Sequence, residues 1–163
     1  MTHGDGDGDA DGHAHGQGPG LTPAEPGAPF RHPVRVYWED TDAGGVVFYA
    51  NYLKFFERAR TEWLRALGIG QQQLRDDTGV IFIVVATALR YRAPARLDDT
   101  LWVTVWPTTT GRASMTLQQQ AWRDNSDQPP TLLCEGTIRI GCVDAASFRP
   151  SRFPAQITKT WNP

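Results

Sequence analysis

Histidine is almost missing from the part of this sequence that is rich enough in apolar residues to fold. His3, His13 and His15 lie in the first fifteen residues, His32 opens the first apolar alternation, and none follows. A Ser-His-Asp or Cys-His catalyst needs an imidazole within hydrogen-bond reach of its nucleophile. Only His32 remains for that role, and no Ser or Cys lies in a setting prepared for it. Cysteine is scarce too. Cys134 and Cys142 fall in one apparent strand, and eight residues of extended chain span about 26 Å, so they cannot bond to each other within it. Their parity matches that of Ile138 and Ile140, which predicts two small, reduced core residues. Neither residue type supplies the ligand spacing of a zinc site, and no phosphate loop or dinucleotide fingerprint is present.

Long apolar runs and early basic residues are lacking as well. The longest apolar stretch, Val80 to Ala86, is far too short to cross a bilayer. Met1 leads into Gly, Asp and His rather than the cationic and apolar regions of a signal peptide. Together these predict a cytoplasmic protein with no membrane span. The first thirty residues hold no Lys or Arg but contain Asp5, Asp7, Asp9, Asp11 and Glu25, leaving 16 basic and 13 acidic residues, a balance of +3, for the rest. That balance suits an anionic small-molecule partner and is too weak for nucleic acid, which needs a concentrated basic stripe.

Residues 1–29, a Gly/Asp/His/Pro-rich segment, cannot bury enough apolar surface to offset the entropy of ordering and are predicted to be disordered. Asp7, Asp9 and Asp11 imitate half of a calcium loop, but Gly18 stands where its closing Glu belongs. One domain is expected over residues 30–158, with 159–163 as a C-terminal end. Val34, Val36 and Trp38 alternate with Arg35 and Tyr37, the period of a half-buried strand. A helix is expected from about Tyr49 to Leu67, with Tyr52, Phe56, Ala59, Trp63 and Leu67 on one stripe and Gly68 as its C-terminal cap. Strands follow at Val80–Tyr91, Thr100–Trp106, Ala113–Trp122 and Thr131–Val143, with a turn at residues 124–127. A strand, a long helix and four more strands predict an α+β fold: an antiparallel sheet with the helix packed on one face.

With imidazoles and thiols excluded, carboxylates remain for chemistry. Glu39, Asp40 and Asp42 sit where a strand ends and a helix is about to begin. A helix start presents unpaired N–H groups and a partial positive charge. Such donors stabilise an oxyanion while a nearby carboxylate attacks or activates water, and Gly44 and Gly45 let a substrate approach the backbone. A surface turn rich in Asp and Gly would read the same way, so the pattern alone leaves both readings open.

The stretches "VYWEDTDAGGVVFYANYLKFFERARTEWLR" and "YRAPARLDDTLWV" resemble the tol–pal-associated acyl-CoA thioesterases, in the 4-hydroxybenzoyl-CoA thioesterase branch of hotdog-fold enzymes. The likeness runs from about Arg31 to Ile157, and D-x-D-A-G-G-V-V followed by Asn-Tyr is its most specific part. It implies a curved antiparallel sheet of about five strands wrapped around one long helix. It further implies acyl-CoA as substrate, water as acceptor, no metal or cofactor, and a homodimer or homotetramer with sites between subunits. By position Asp42 matches the catalytic carboxylate, acting as nucleophile or general base, and the Tyr49 N–H matches the donor that polarises the thioester carbonyl. Many close relatives carry His where this chain has Tyr49. Gly44, Gly45, Val46 and Tyr52 are expected to border the substrate, with Tyr52 and Phe56 either lining an acyl tunnel or packing the core. Arg90, Arg92 and Arg96 around Pro94, and above all Arg112, are expected phosphate contacts. Glu39 and Asp40 are expected to orient the turn or border a subunit interface, and Glu57 to be a structural acid. Acyl carrier protein is a further expected partner, and a non-catalytic acyl-CoA or carrier-protein binder of the same fold is the rival reading.

Overall fold

In a computed structural model, residues 28–125 and 128–160 are described. The low-complexity segment up to residue 27 and the centre of the expected 124–127 turn lie outside them. Strands β1 (Phe30–Arg35), β2 (Val80–Tyr91), β3 (Thr100–Thr110), β4 (Ser114–Asn125) and β5 (Gln128–Asp144) form one sheet in the order β1-β3-β4-β5-β2. Every pairing is antiparallel. Between β1 and β2 the chain forms the long helix α1 (Asn51–Ala66) and the short helix α2 (Gln71–Thr78); α3 (Ala155–Thr160) follows β5. This is the expected α+β arrangement of a five-stranded sheet around a central helix.

Alternation explains the sheet. Leu101, Val103 and Val105 of β3 and Met115, Leu117, Gln119 and Ala121 of β4 turn inward, where they meet Phe55, Phe56 and Ala59 of α1. Gly136 of β5 allows the close approach: a Cβ there would lie 2.8 Å from Phe56 Cε2 and 2.5 Å from Leu89 Cδ2. One polar side chain enters this core with both of its polar atoms bonded. Gln119 donates from Nε2 to the Phe56 carbonyl (3.0 Å) and accepts at Oε1 from Arg60 Nη1 (2.8 Å), tying β4 to the middle of α1. Cys134 and Cys142 are buried and unbridged, as expected, and burial pushes their thiols up to about 12 and about 11.

Two details differ from the sequence reading. The first strand ends at Arg35, and Trp38, assigned by alternation to the buried face, is 79% exposed. Residues Trp38–Asp40 instead form a 3-10 turn, because the buried Asp40 carboxylate accepts from the Tyr37 N–H (2.8 Å) and folds the chain back on itself. Helix α1 starts at Asn51 rather than Tyr49. Its other end is as expected: Gly68 at φ +77° donates to Arg65 O and Ile69 N–H reaches Leu64 O, the paired bonds of a glycine-terminated helix.

Candidate active site

The acidic turn is built from the backbone outward. After the 3-10 turn, Asp42 N–H donates to Val46 O (2.9 Å) and Gly45 N–H to Asp42 O (3.0 Å), closing a tight hairpin flanked by the Thr41–Val47 bridge. Gly45 occupies the left-handed region at φ +73°, which a side chain would resist. Inside this hairpin Asp42 Oδ1 accepts from the Gly44 N–H (2.8 Å). A Cβ on Gly44 would stand 3.0 Å from that oxygen, so glycine is what lets the carboxylate fold over its own turn. The other Asp42 oxygen has no donor among the described residues, and the side chain is exposed. One oxygen is anchored and the other is available.

The head of α1 is fastened to the same turn. Asp40 is buried, and its carbonyl accepts from both Phe48 N–H (2.9 Å) and Asn51 Nδ2 (2.9 Å). Val46 and Val47 are tied across to Arg96 and Ala95, the latter through Val47 N–H to Ala95 O (2.9 Å). Tyr49 is 62% exposed, and its N–H has no acceptor among the described residues. The expectation that Asp40 orients the turn is thus matched by geometry, while Asn51, noted in the sequence only as part of the Asn-Tyr signature, is the latch that places the helix. Nothing in local pattern discloses that role.

Tyr52 is buried in the core, where its hydroxyl accepts from the Ala95 N–H (3.3 Å); burial raises its pKa to about 12. Phe56 is likewise core. Arg92, expected to meet phosphate, is paired with Glu135 through Nη2–Oε1 (2.6 Å). Glu57 accepts from Thr61 Oγ1 (2.8 Å). Arg112 lies in the β3–β4 turn, a strand's length from Asp42: the eleven residues of β3, which begins beside Val36, span about 35 Å. One segment therefore carries Asp42, Gly44, Gly45 and Val46 in a hairpin just ahead of Tyr49, Tyr52 joins it through Ala95, and Arg112 is left at the opposite end. There the chain after β5 adds two arginines that the sequence reading passed over. Phe153 N–H donates to Arg112 O (3.0 Å), setting the neighbouring Arg152 beside the turn, and the Arg149 backbone carbonyl accepts from Asp144 N–H at the same sheet end. No carboxylate pairs with Arg112, Arg149 or Arg152 among the described residues.

Two cavities, of about 140 and 240 Å³, open along the far half of α1 and beside α2. The first is lined by Glu57, Arg60, Trp63, Phe82, Met115 and Leu117, among others. Asp42 borders neither: in a single chain it faces open surface. Among the described residues no group of three or more His, Cys, Asp and Glu side chains is placed to hold a metal ion, and no helix is long and apolar enough to cross a membrane.

Comparison with known proteins defines the class. Residues 36–160 match the thioesterase-like superfamily, and the chain belongs to that family. It is 41% identical over 128 residues to the acyl-CoA thioesterase YbgC of Haemophilus influenzae, covering 78% of this chain and 90% of that protein. To the acyl-CoA thioester hydrolase YbgC of Escherichia coli O6:H1 it is 43% identical, with 78% and 92% covered. In fold it resembles a 4-hydroxybenzoyl-CoA thioesterase variant solved with 4-hydroxybenzoyl-CoA, at a TM-score of 0.77 and 17% identity over 82% of this chain and 99% of that one. The fold is the hotdog fold, and the class is that of thioester hydrolases.

Proposed function

We propose that this chain hydrolyses acyl-CoA to a free carboxylic acid and CoA, with Asp42 as the reacting carboxylate. The observation that supports this reading is that one available Asp42 oxygen and a Tyr49 N–H with no acceptor among the described residues are both carried by the segment that Asp40 and Asn51 lock. The Tyr49 N–H donates to the thioester oxygen and stabilises the negative charge that grows there, aided by the partial positive charge of the helix start. As a nucleophile, Asp42 adds to the carbonyl carbon, the C–S bond breaks, and CoA leaves as a thiolate that takes a proton from solvent. Water then splits the mixed anhydride and regenerates Asp42. As a general base, Asp42 takes a proton from water as it attacks the same carbon; the C–S bond then breaks and the leaving CoA thiolate takes that proton back. Tyr49 contributes through its backbone, so the missing His side chain is no obstacle.

An open Asp42 needs a second wall, and the contrast between the two sheet edges supports a source for it. Edge strand β1 is protected by Pro33 and by exposed Arg31 and Arg35, whereas β2 runs uncharged from Val80 to Leu89 with Val84 47% and Val85 50% exposed. We assign β2 to pairing with a second copy. A two-fold antiparallel pairing lays the Val80 end of one strand beside the Tyr91 end of the other. It thereby carries the Arg112, Arg149 and Arg152 cluster of one copy toward the Asp42 end of its mate. Those three cations, without a carboxylate partner among the described residues, suit the phosphates of CoA better than Arg92, which Glu135 already engages. The far end of α1 and its 140 Å³ cavity approach the same mate, with Tyr52 shaping the floor beneath Asp42. On this reading CoA arrives as substrate rather than as cofactor, the enzyme works in the cytoplasm, and acyl carrier protein is a second source of thioesters for the same basic surface.

The test is hydrolysis of a panel of aliphatic and aromatic acyl-CoAs by the wild type and by Asp42→Asn. The variant retains an amide oxygen for the Gly44 N–H, so it should fold and bind CoA unchanged while turnover falls at least about a hundredfold. Undiminished turnover would refute the assignment.

A further inference from the structure

Two successive amide hydrogens at the head of α1 have no acceptor among the described residues, those of Tyr49 and Ala50, and the bonds around them show what turns them outward. The peptide joining Phe48 to Tyr49 is held by its carbonyl, which accepts from Asn51 N–H (2.8 Å). The next peptide, joining Tyr49 to Ala50, is also held by its carbonyl, but its partner comes from the end of β2. Tyr91 donates from its hydroxyl to Tyr49 O (3.1 Å). The helix itself makes no claim on that carbonyl, because Leu53 N–H bonds Ala50 O (3.1 Å) instead. In a trans peptide the C=O and N–H point in opposite directions. Pinning each carbonyl therefore aims the amide hydrogen behind it.

Tyr91 is itself well fixed. Its backbone pairs with Cys134 in the β2–β5 ladder. Its ring stands nearly perpendicular to that of Tyr49 (86°, centroids 6.3 Å apart) and packs 5.7 Å from that of Tyr52. Tyr52 in turn is bound at its hydroxyl by Ala95 N–H, whose own carbonyl holds Val47 N–H. A closed circuit of contacts thus runs from β2 through Tyr91 to the helix head, and back through Val47 to the hairpin bearing Asp42. Burial, chiefly, raises the Tyr91 pKa above its usual 10, so the hydroxyl remains a donor at neutral pH.

We infer that Tyr91 is a positioning residue that aims the Ala50 N–H as a second oxyanion donor beside the Tyr49 N–H. This rests on the thioesterase reading above. Two adjacent N–H groups then share the charge that develops on the thioester oxygen, and the one from Ala50 depends on a side chain outside the turn. Tyr91 acts on the reaction only through the Tyr49–Ala50 peptide.

Tyr91→Phe keeps the ring and removes only the hydroxyl. Loss of a whole oxyanion donor costs about a hundredfold or more in kcat. A donor that is present but badly aimed should cost about tenfold, with KM within about twofold and the melting temperature nearly unchanged. A hydroxyl with a merely structural role would lower the melting temperature and leave kcat of the folded enzyme alone, and that result overturns the proposal. A second measurement stands even if Tyr91→Phe is less stable. An acyl-CoA bound to Asp42→Asn should show its carbonyl stretch shifted to lower frequency, and adding Tyr91→Phe should move it part of the way back. Identical spectra for the single and double variants would also overturn it. Wild-type turnover in Tyr91→Phe together with an inactive Asp42→Asn leaves the enzyme reading standing and removes only the clamp. A wild type that hydrolyses no thioester removes both.

Discussion

Asp42, the carboxylate proposed to react, shows how far a side chain's geometry is set by its immediate neighbours. Gly44 supplies both the amide that anchors Oδ1 and the empty space above it. Gly44→Ala should therefore push the carboxylate off its anchor, lowering kcat about tenfold while the melting temperature moves little, since the site is on the surface. Gly45→Ala should behave in the opposite way. It forces a Cβ into a left-handed conformation at about 1 kcal/mol, so thermal melting should fall by roughly 4 °C with a smaller effect on turnover per folded molecule. Both predictions are checked by pairing melting curves with thioester assays. Equal effects of the two substitutions on kcat would show that the glycines serve substrate approach alone. The D-x-D-A-G-G pattern was legible from the residues, but the separate jobs of the two glycines were not. Those jobs depend on φ angles and on where one carboxylate oxygen lies.

At the scale of elements, the helix and the sheet meet at Gly136, and β2 meets solvent. Gly136→Ala would place a methyl group against Phe56 and Leu89. Overpacking of that kind costs about 1–3 kcal/mol, so melting should fall by several degrees; an unchanged melting temperature would show that α1 shifts freely on the sheet. Val85→Lys puts a charge on the exposed edge of β2, where it should halve the mass in sedimentation and abolish turnover while far-ultraviolet circular dichroism stays the same. A fully active monomer would show that one chain completes its own site. Alternation located β3 because period two is a local property of a pleated strand, while β2 was read from its apolar run and β4 and β5 from the turns that bound them. It misplaced Trp38 because a buried Asp40, two residues on, captured the Tyr37 amide and ended the strand early. It passed over α2, whose sequence QQQLRDDT offers only Leu74 to the core.

The whole molecule carries a pH signature. Burial, the first cause in each case, raises Tyr52 from 10.0 to about 12, Cys134 from 9.0 to about 12 and Cys142 from 9.0 to about 11. Folded-state values above the unfolded ones mean that the folded chain holds these protons more tightly. The stability they contribute is complete below about pH 9 and is lost as pH rises through 11 to 12. Melting temperature should accordingly fall over that alkaline interval, and less steeply in Tyr52→Phe combined with Cys134→Ala. Parallel curves for the two proteins would show that these groups open to solvent before the fold is lost.

Taken alone, the residue order determined the α+β class, the single long helix and the reduced core cysteines, and it made carboxylates the candidates for chemistry. Each follows from composition or from short-range periodicity, which unfolded and folded chains share. Tertiary structure alone decided that Tyr91 grips Tyr49 across 42 positions, that Arg152 joins Arg112, and that Asp42 faces an open surface on one chain. Those facts depend on strand order and register, which place side chains far apart in sequence within hydrogen-bond reach and leave one sheet edge bare.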